Sequence, residues 1–300
     1  MANRINSVFT LEDALLAYAV GDNGLVLASD DGGATWRRVA VPHRGNLYTI
    51  SFPGQAAIGY ACGDLGTVLK TEDGSKTWRL LNTGVRVDLR VVKFPLSPQT
   101  GFVAGDSGTV LRTADAGETW TNLVTATDQK VMDMNFPSDE MTGYAVGPNG
   151  TILKTTTGGQ IWFSQSGNLQ GVMPSTHITA VFFPAGDTVG FATTANAGVL
   201  FTPNGGEVWR PLRSDSPLPA LYSLDVRSDT MEGFVVGAGG TLIHTRDGGE
   251  TWARLNVGTR ADLFSIRFFA DGRVGIIAGD ERTLLCTRDA GQTWTPSKVL

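Results

Sequence analysis

The residues best placed to do chemistry are five aspartates that recur in one setting. Asp31, Asp73, Asp115, Asp247 and Asp289 each follow a serine or threonine by two positions and precede a Thr-Trp pair by four. A carboxylate in that place can ligate a metal, serve as a general acid, or accept hydrogen bonds from its own turn. Repetition favours the last. If each turn closes one structural unit, the units hold the acids apart and no two meet at one substrate. Glycoside hydrolysis needs two carboxyl groups flanking one bond, and no convincing pair can be nominated. His43, His177 and His244 are far apart in the chain, whereas a zinc site needs convergent ligands. The Gly-Ala-Gly-Gly run at Gly237–Gly240 reads as a hairpin turn, not a phosphate loop, because no helix follows it. No catalytic residue, metal ligand or cofactor is assigned, and the expectation is a protein that is not an enzyme.

The elements that position these aspartates form a repeat. The tryptophans are Trp36, Trp78, Trp120, Trp162, Trp209, Trp252 and Trp294, spaced 42, 42, 42, 47, 43 and 42 residues apart. The segments before them align without gaps: Tyr60-Ala-Cys-Gly-Asp-Leu-Gly-Thr-Val-Leu-Lys-Thr matches the runs that begin at Phe102, Tyr144 and Phe234. Each repeat reads as four strands. Strand A is a six-residue run, as in Leu47–Phe52, Leu89–Phe94, Val131–Phe136, Ile178–Phe183, Leu221–Val226 and Leu263–Phe268, with Ile5–Thr10 as the first copy. Strand B is the Gly-Tyr/Phe-Ala-Val run. A Gly-Asp-x-Gly turn follows, whose glycine supplies a positive φ. Strand C is Thr-Val-Leu-Lys-Thr, and an Asp-Gly-Gly-type turn leads to strand D at Thr-Trp.

Four strands in about 40–50 residues is the signature of a propeller blade. Seven copies predict an all-β, seven-bladed β-propeller of four-stranded antiparallel blades. It is a single domain over 1–300, with blades at about 4–40, 46–82, 88–124, 130–166, 177–213, 220–256 and 262–298. The chain starts at A and stops just after D, so no strand exchange between its ends is expected. Cys62 and Cys286 fall in blades 2 and 7, too far apart for a disulfide. Within strand A, the second, fourth and sixth positions are mostly large and apolar (Tyr48, Ile50, Phe52) and should pack between blades. The third and fifth (Thr49, Ser51; Asp133, Asn135; Ser265, Arg267) should face a wet central channel.

With the repeats laid out, the Ser/Thr-x-Asp-x-Gly-x-Thr-Trp turn is the Asp-box, or BNR repeat, and the chain resembles the photosystem II stability/assembly factor family of Asp-box propellers. The resemblance covers nearly the whole chain. It implies a non-enzymatic scaffold that holds membrane-protein assembly intermediates. Asp-box propellers also include sialidases, which use an Arg-Ile-Pro-like motif, but here Arg4-Ile5 is followed by Asn6. Xyloglucan-type hydrolases place paired acids between two propellers, and this chain has one.

The net charge of −5 gives no global basic field, which argues against bulk nucleic-acid binding. No apolar run is long enough for a transmembrane segment. No signal peptide or lipid-attachment cysteine is read, so the compartment stays open: cytoplasmic, virion-associated, or a chain whose targeting segment has been removed. Function on a propeller sits in loops on a rigid ring. The D-to-A and B-to-C loops share one rim, and the D-to-A loops hold many of the basic residues, among them Arg210 and Arg213. Arg44, Arg86, Arg90, Lys130, His177, Arg260 and Arg267 are the candidate partner-binding residues, for a protein such as a membrane-protein assembly intermediate or a larger complex. Asp88, Asp128, Asp215 and Asp262 lie among them. A carbohydrate-binding or host-attachment module is the alternative, with a glycoside hydrolase behind it. Few aromatics are expected on the rim, which favours protein over glycan. Blades 4 and 5 are irregular: Thr157 and Asn204 replace the aspartate, and Gln165–Ser175 is the longest connection.

Overall fold

The computed structural model describes residues 4–11, 15–54, 57–212 and 217–300. Arg213 and Asp215 lie outside the described residues. Seven sheets form, each from four antiparallel strands consecutive in the chain. In blade 1 these are A (Ile5–Thr10), B (Ala17–Gly21), C (Leu25–Ser29) and D (Thr35–Val39). The A strands pack side by side from blade 1 round to blade 7 and back to blade 1. The molecule is therefore a closed seven-bladed propeller. Strand B is apolar throughout because a blade is covered on both faces; Tyr60, Ala61 and Cys62 are all fully buried. Both cysteines are buried free thiols, and burial pushes the Cys62 thiol up to about 12.

An aromatic ladder fixes blade against blade. The sixth residue of strand A stacks on the strand B ring of the preceding blade: Phe52 on Tyr18 at 3.9 Å, Phe94 on Tyr60 at 3.7 Å, Phe136 on Phe102 at 4.3 Å. The same phenylalanine meets its own blade's tryptophan edge to face, as Phe52 meets Trp78 at 6.2 Å. The glycine that opens strand B makes room for it. A Cβ on Gly101 would lie 2.3 Å from the Phe94 ring.

Strand A leaves one edge without a strand partner, at the channel. Side chains of the preceding blade satisfy it. Thr49 Oγ1 accepts from Val92 N (2.9 Å), Asp133 from Val181 N (3.1 Å), Asn135 from Phe183 N (3.1 Å) and Ser265 from Val8 N (3.1 Å). The third and fifth positions thus face the channel as expected. The second does not pack between blades. A β-bulge after the first residue, seen in the slipped registers Leu47/Thr49 and Leu263/Ser265, re-aims it to the mouth of the ring. Tyr48 and Phe264 are only partly buried there, while Leu47 and Leu263 are fully buried.

The ends also depart from expectation. After strand D of blade 7 (Thr295–Pro296), the chain crosses to blade 1. There Lys298–Val299 pairs in parallel with Thr35–Trp36 as a fifth strand. Lys298 N donates to Ala34 O (2.9 Å) and Leu300 N to Trp36 O (2.8 Å). The long connection after blade 4 does the same on blade 5: Leu169 bridges Trp209 in parallel, with Gln170 N donating to Trp209 O (2.8 Å).

Candidate functional site: the loop rim

The Asp-box aspartates are committed to their turns. In blade 3, Asp115 accepts from Thr119 N (2.9 Å), Thr119 Oγ1 (2.6 Å) and Thr113 Oγ1 (2.8 Å). Threonine donors of this kind hold Asp73, Asp115, Asp247 and Asp289 at a pKa of about 2. At Asp31, burial acts the other way, and the bonds from Thr35 and Ser29 still bring its pKa down. One such acid stands in each of five blades. Among the described residues no group of three or more His, Cys, Asp or Glu side chains is placed to hold a metal ion, and no helix is long and apolar enough to cross a membrane.

The opposite rim is built by the B-to-C turns and the D-to-A loops, which lock together. In blades 1, 2, 3 and 6 the B-to-C turn is a short 3-10 turn with two residues at positive φ, such as Asn23 (59°) and Gly24 (67°). The D-to-A loop leaving that blade crosses the glycine. A Cβ on Gly24, Gly66 or Gly240 would lie 2.0–2.2 Å from the carbonyl of His43, Val85 or Thr259. The next residue in each loop is Arg44, Arg86 or Arg260. Beyond the arginine the loop is pinned again. Gly24 N donates to Gly45 O (2.6 Å), and Gly240 N to Ala261 O (2.8 Å). One residue further on, Asn46, Asp88 and Asp262 accept from Asn23 N (3.3 Å), Leu65 N (3.1 Å) and Gly239 N (2.8 Å). Asp88 and Asp262 are therefore loop staples. Blade 7 carries Arg282 (φ 59°) at the glycine position, and its outer strand runs on along blade 1 instead of crossing back.

The candidate basic residues fall into three settings. Arg44, Arg86, Lys130, His177 and Arg260 are exposed on the rim. The cations Arg44, Arg86, Lys130 and Arg260 make no salt bridge among the described residues. Arg44, Arg86 and Arg260 occupy equivalent places in three blades; blade 3 has Asp128 there, followed two residues on by Lys130. Arg90 is half-buried and clamped: it bonds Asp106 (3.0 Å) and Asp88 (3.2 Å) and stacks over Tyr48 at 4.5 Å. Burial works against its charge, but the two carboxylates outweigh it and raise its pKa. Arg267 lies inside the channel, where its guanidinium donates to Leu224 O and Ile266 O, both at 2.9 Å.

The bulge also brings rings to the rim that strand periodicity alone assigns to the blade interior. Tyr48 bonds Asp64 across the top of blade 2, and that bond together with burial pushes its pKa up. Tyr222 and Phe264 meet at 5.4 Å, with Arg4 over Phe264 at 5.3 Å. All three rings are partly buried, and none is among the exposed large apolar side chains. No residue type marks such a bulge in the sequence.

Ring, Asp-box turns and rim together define an Asp-box seven-bladed propeller. Residues 34–127 and 174–262 match the model of the family described as photosynthesis system II assembly factor YCF48, and the chain belongs to that family. No curated protein matches its sequence. Among solved structures it is similar to YCF48 bound to D1 peptide, with 22% identity, a TM-score of 0.74, and 95% of this chain and 93% of that one covered. YCF48 from Cyanidioschyzon merolae matches with 20% identity and a TM-score of 0.77, covering 95% of this chain and 96% of that one. The GH74 enzyme of Niastella koreensis shares the fold at 13% identity and a TM-score of 0.77, with 97% of this chain matching 53% of the enzyme.

Proposed function

We propose that this protein is a non-enzymatic scaffold of the assembly-factor type that binds a polypeptide partner on its loop rim. The observation that carries this reading is the repeated seat of Arg44, Arg86 and Arg260. Each is exposed, and the backbone around it is pinned to the neighbouring turn, so little loop entropy is lost on docking. Cations presented at fixed spacing suit acidic or carbonyl-rich segments of a partner. Lys130 and His177 extend the arc over blades 4 and 5, and Arg90 supplies a held guanidinium at the channel mouth. A YCF48 structure with a bound D1 peptide makes a polypeptide ligand the natural reading for a family member, and an assembly intermediate of a membrane protein the natural class. The Asp-box carboxylates give the catalytic alternative no acid pair. The five Asp-box carboxylates lie one to a blade, and the likeness to the GH74 enzyme is one of fold.

The test is affinity capture from the host's membrane extract by the wild type and by the Arg44→Glu/Arg86→Glu/Arg260→Glu variant. A protein held by the wild type and released by the variant is the expected result. Equal retention by both removes the rim from the reading. If neither retains any protein, the scaffold reading falls, and binding and cleavage of polysaccharides become the next measurements.

A further inference from the structure

The fifth and sixth positions of strand A do different things round the ring. In blades 4 and 6 the fifth residue is spent on the next blade: Asn135 accepts from Phe183 N and Asp225 from Phe268 N. Ser51 and Lys93, at the fifth positions of blades 2 and 3, make no such bond. They face a cavity of about 460 Å³ at the lower mouth of the channel, on the Asp-box side and away from the arginine rim. That volume lies in the range of small-molecule sites, roughly 300–1,000 Å³. Its walls come from the first four blades and are polar and apolar in about equal parts, with Phe9, Leu16, Phe52, Phe94 and Phe136 supplying apolar faces and Leu96 at its lip, 61% exposed.

Apart from Thr10, whose hydroxyl is spent on Phe268 O, the polar side chains lining this cavity are Lys93, Asn135 and Ser51. Lys93 keeps 29% of its side chain open to the lumen, and its nearest acid, Asp133, is 3.7 Å away. Asp133 itself is not in the cavity wall and is already bonded to Val181 N. The Asn135 carbonyl oxygen is taken by Phe183 N, which leaves its NH2 to donate, and the Ser51 hydroxyl also lines the cavity. Among the described residues, no carboxylate lines the cavity. Burial pushes the Lys93 ammonium below its ordinary pKa; Asp133 opposes this, while Arg267 acts on it with like charge from across the channel. Asp133 is its one ion-pair partner among the described residues, at a long 3.7 Å.

We propose that the lower channel mouth is a binding site for an apolar carboxylate, its head on Lys93, Ser51 and Asn135 and its body against the phenylalanines. A free medium-chain or aromatic acid has this chemistry, and so does the apolar C-terminal residue of a polypeptide.

Titration calorimetry with octanoate, octanamide, and an N-acetyl tetrapeptide ending in leucine, as acid and as amide, separates the two sources. At least one acid should bind, and at least tenfold more tightly than its amide. Octanoate binding assigns the site to free acids; binding by the peptide acid alone assigns it to a chain end. Leu96→Asp, at an exposed position that places little demand on folding, should weaken the binding acid tenfold or more. So should Lys93→Met combined with Asp133→Asn, which leaves no unpaired charge in the channel. Failure of both acids to bind, or binding of acid and amide alike, overturns the proposal.

Discussion

In blade 3, Asp115 gathers the Thr119 N–H and hydroxyl and the Thr113 hydroxyl. In blade 4, Thr157 stands in its place, and its hydroxyl accepts Ile161 N (2.9 Å). In blade 5 it is Asn204, whose Oδ1 accepts Val208 N (3.1 Å) and the Thr202 hydroxyl (3.0 Å). The turn is preserved in all three. What the fold requires there is an acceptor for one backbone N–H; the charge adds a second donor, the threonine hydroxyl, which Ile161 and Val208 cannot offer. Blade 5 replaces that link with a neighbour. Asn168, on the connection that lies along its outer edge, donates to Gly206 O (2.9 Å). The corresponding carbonyl in blade 1, Gly33 O, takes the Trp36 indole N–H (3.0 Å), whereas the buried Trp209 indole N–H has no partner among the described residues.

The largest effects should come from the tryptophans, and they should fall alike on both sectors. Trp36 and Trp209 are both fully buried, so Trp36→Ala and Trp209→Ala should each cost about 3–5 kcal/mol in urea unfolding. Replacement by phenylalanine sharpens the contrast. Trp36→Phe deletes one of the two bonds to Gly33 O and leaves the Ser297 hydroxyl as its donor, while Trp209→Phe removes an orphan donor. The first should therefore be more destabilising than the second by about 1 kcal/mol. Equal losses would mean that the indole bond in blade 1 contributes nothing.

The fifth strand on blade 1 and the parallel bridge on blade 5 come next. Lys298→Pro and Gln170→Pro each delete one N–H donor from a parallel pairing, to Ala34 O and Trp209 O respectively. Both sites are exposed, so each loss should be about 0.5–1.5 kcal/mol. The consequences should differ in place. Lys298→Pro should speed hydrogen exchange at the seam of blades 7 and 1, and Gln170→Pro only along the outer edge of blade 5. If both loosen the whole ring alike, the segments are not separate latches.

Much of this architecture was legible in the residues. The tryptophan spacing gave the blade count, and strand A ran as expected over Leu221–Val226 and Leu263–Phe268. The Asp-box role followed from repetition, because an acid that recurs once per blade serves the blade. Two features were not legible. The bulge at the second position of strand A leaves no mark in residue type: Asn6, Tyr48, Arg90 and Phe264 share nothing except that place. The tail pairing was hidden because Lys298–Val299 is too short to announce a strand and gains its partner only when the ring closes. At the rim, the sequence placed the arginines in loops. Arg44, Arg86 and Arg260 each stand eight residues after their blade's tryptophan, but the sequence could not show that the carbonyl before each one lies over the glycine beneath it. Nor could it separate these three from Arg90 and Arg267, whose partners lie 16 and 43 residues away.

Acid titration tests the two sectors within one molecule. The carboxylates of Asp73, Asp115, Asp247 and Asp289 are held at about 2, below the roughly 3.9 of an unfolded aspartate. A depressed folded pKa contributes stability that is fully present above the unfolded value and lost as pH falls through the folded one. The window is therefore about pH 4 down to about pH 2. Thr157 and Asn204 do not titrate, so the corresponding turns of blades 4 and 5 have no such carboxylate to lose in that window. Hydrogen-exchange protection of the amides of Thr77, Thr119, Thr251 and Thr293, corrected for intrinsic rates, should drop between pH 4 and pH 2, while that of Ile161 and Val208 holds. Asp115→Asn should make Thr119 behave like Val208: somewhat less protected at pH 5 and indifferent to acid. If Ile161 and Val208 lose protection in step with the threonines, the ring responds to acid as one body and the carboxylates do not act turn by turn.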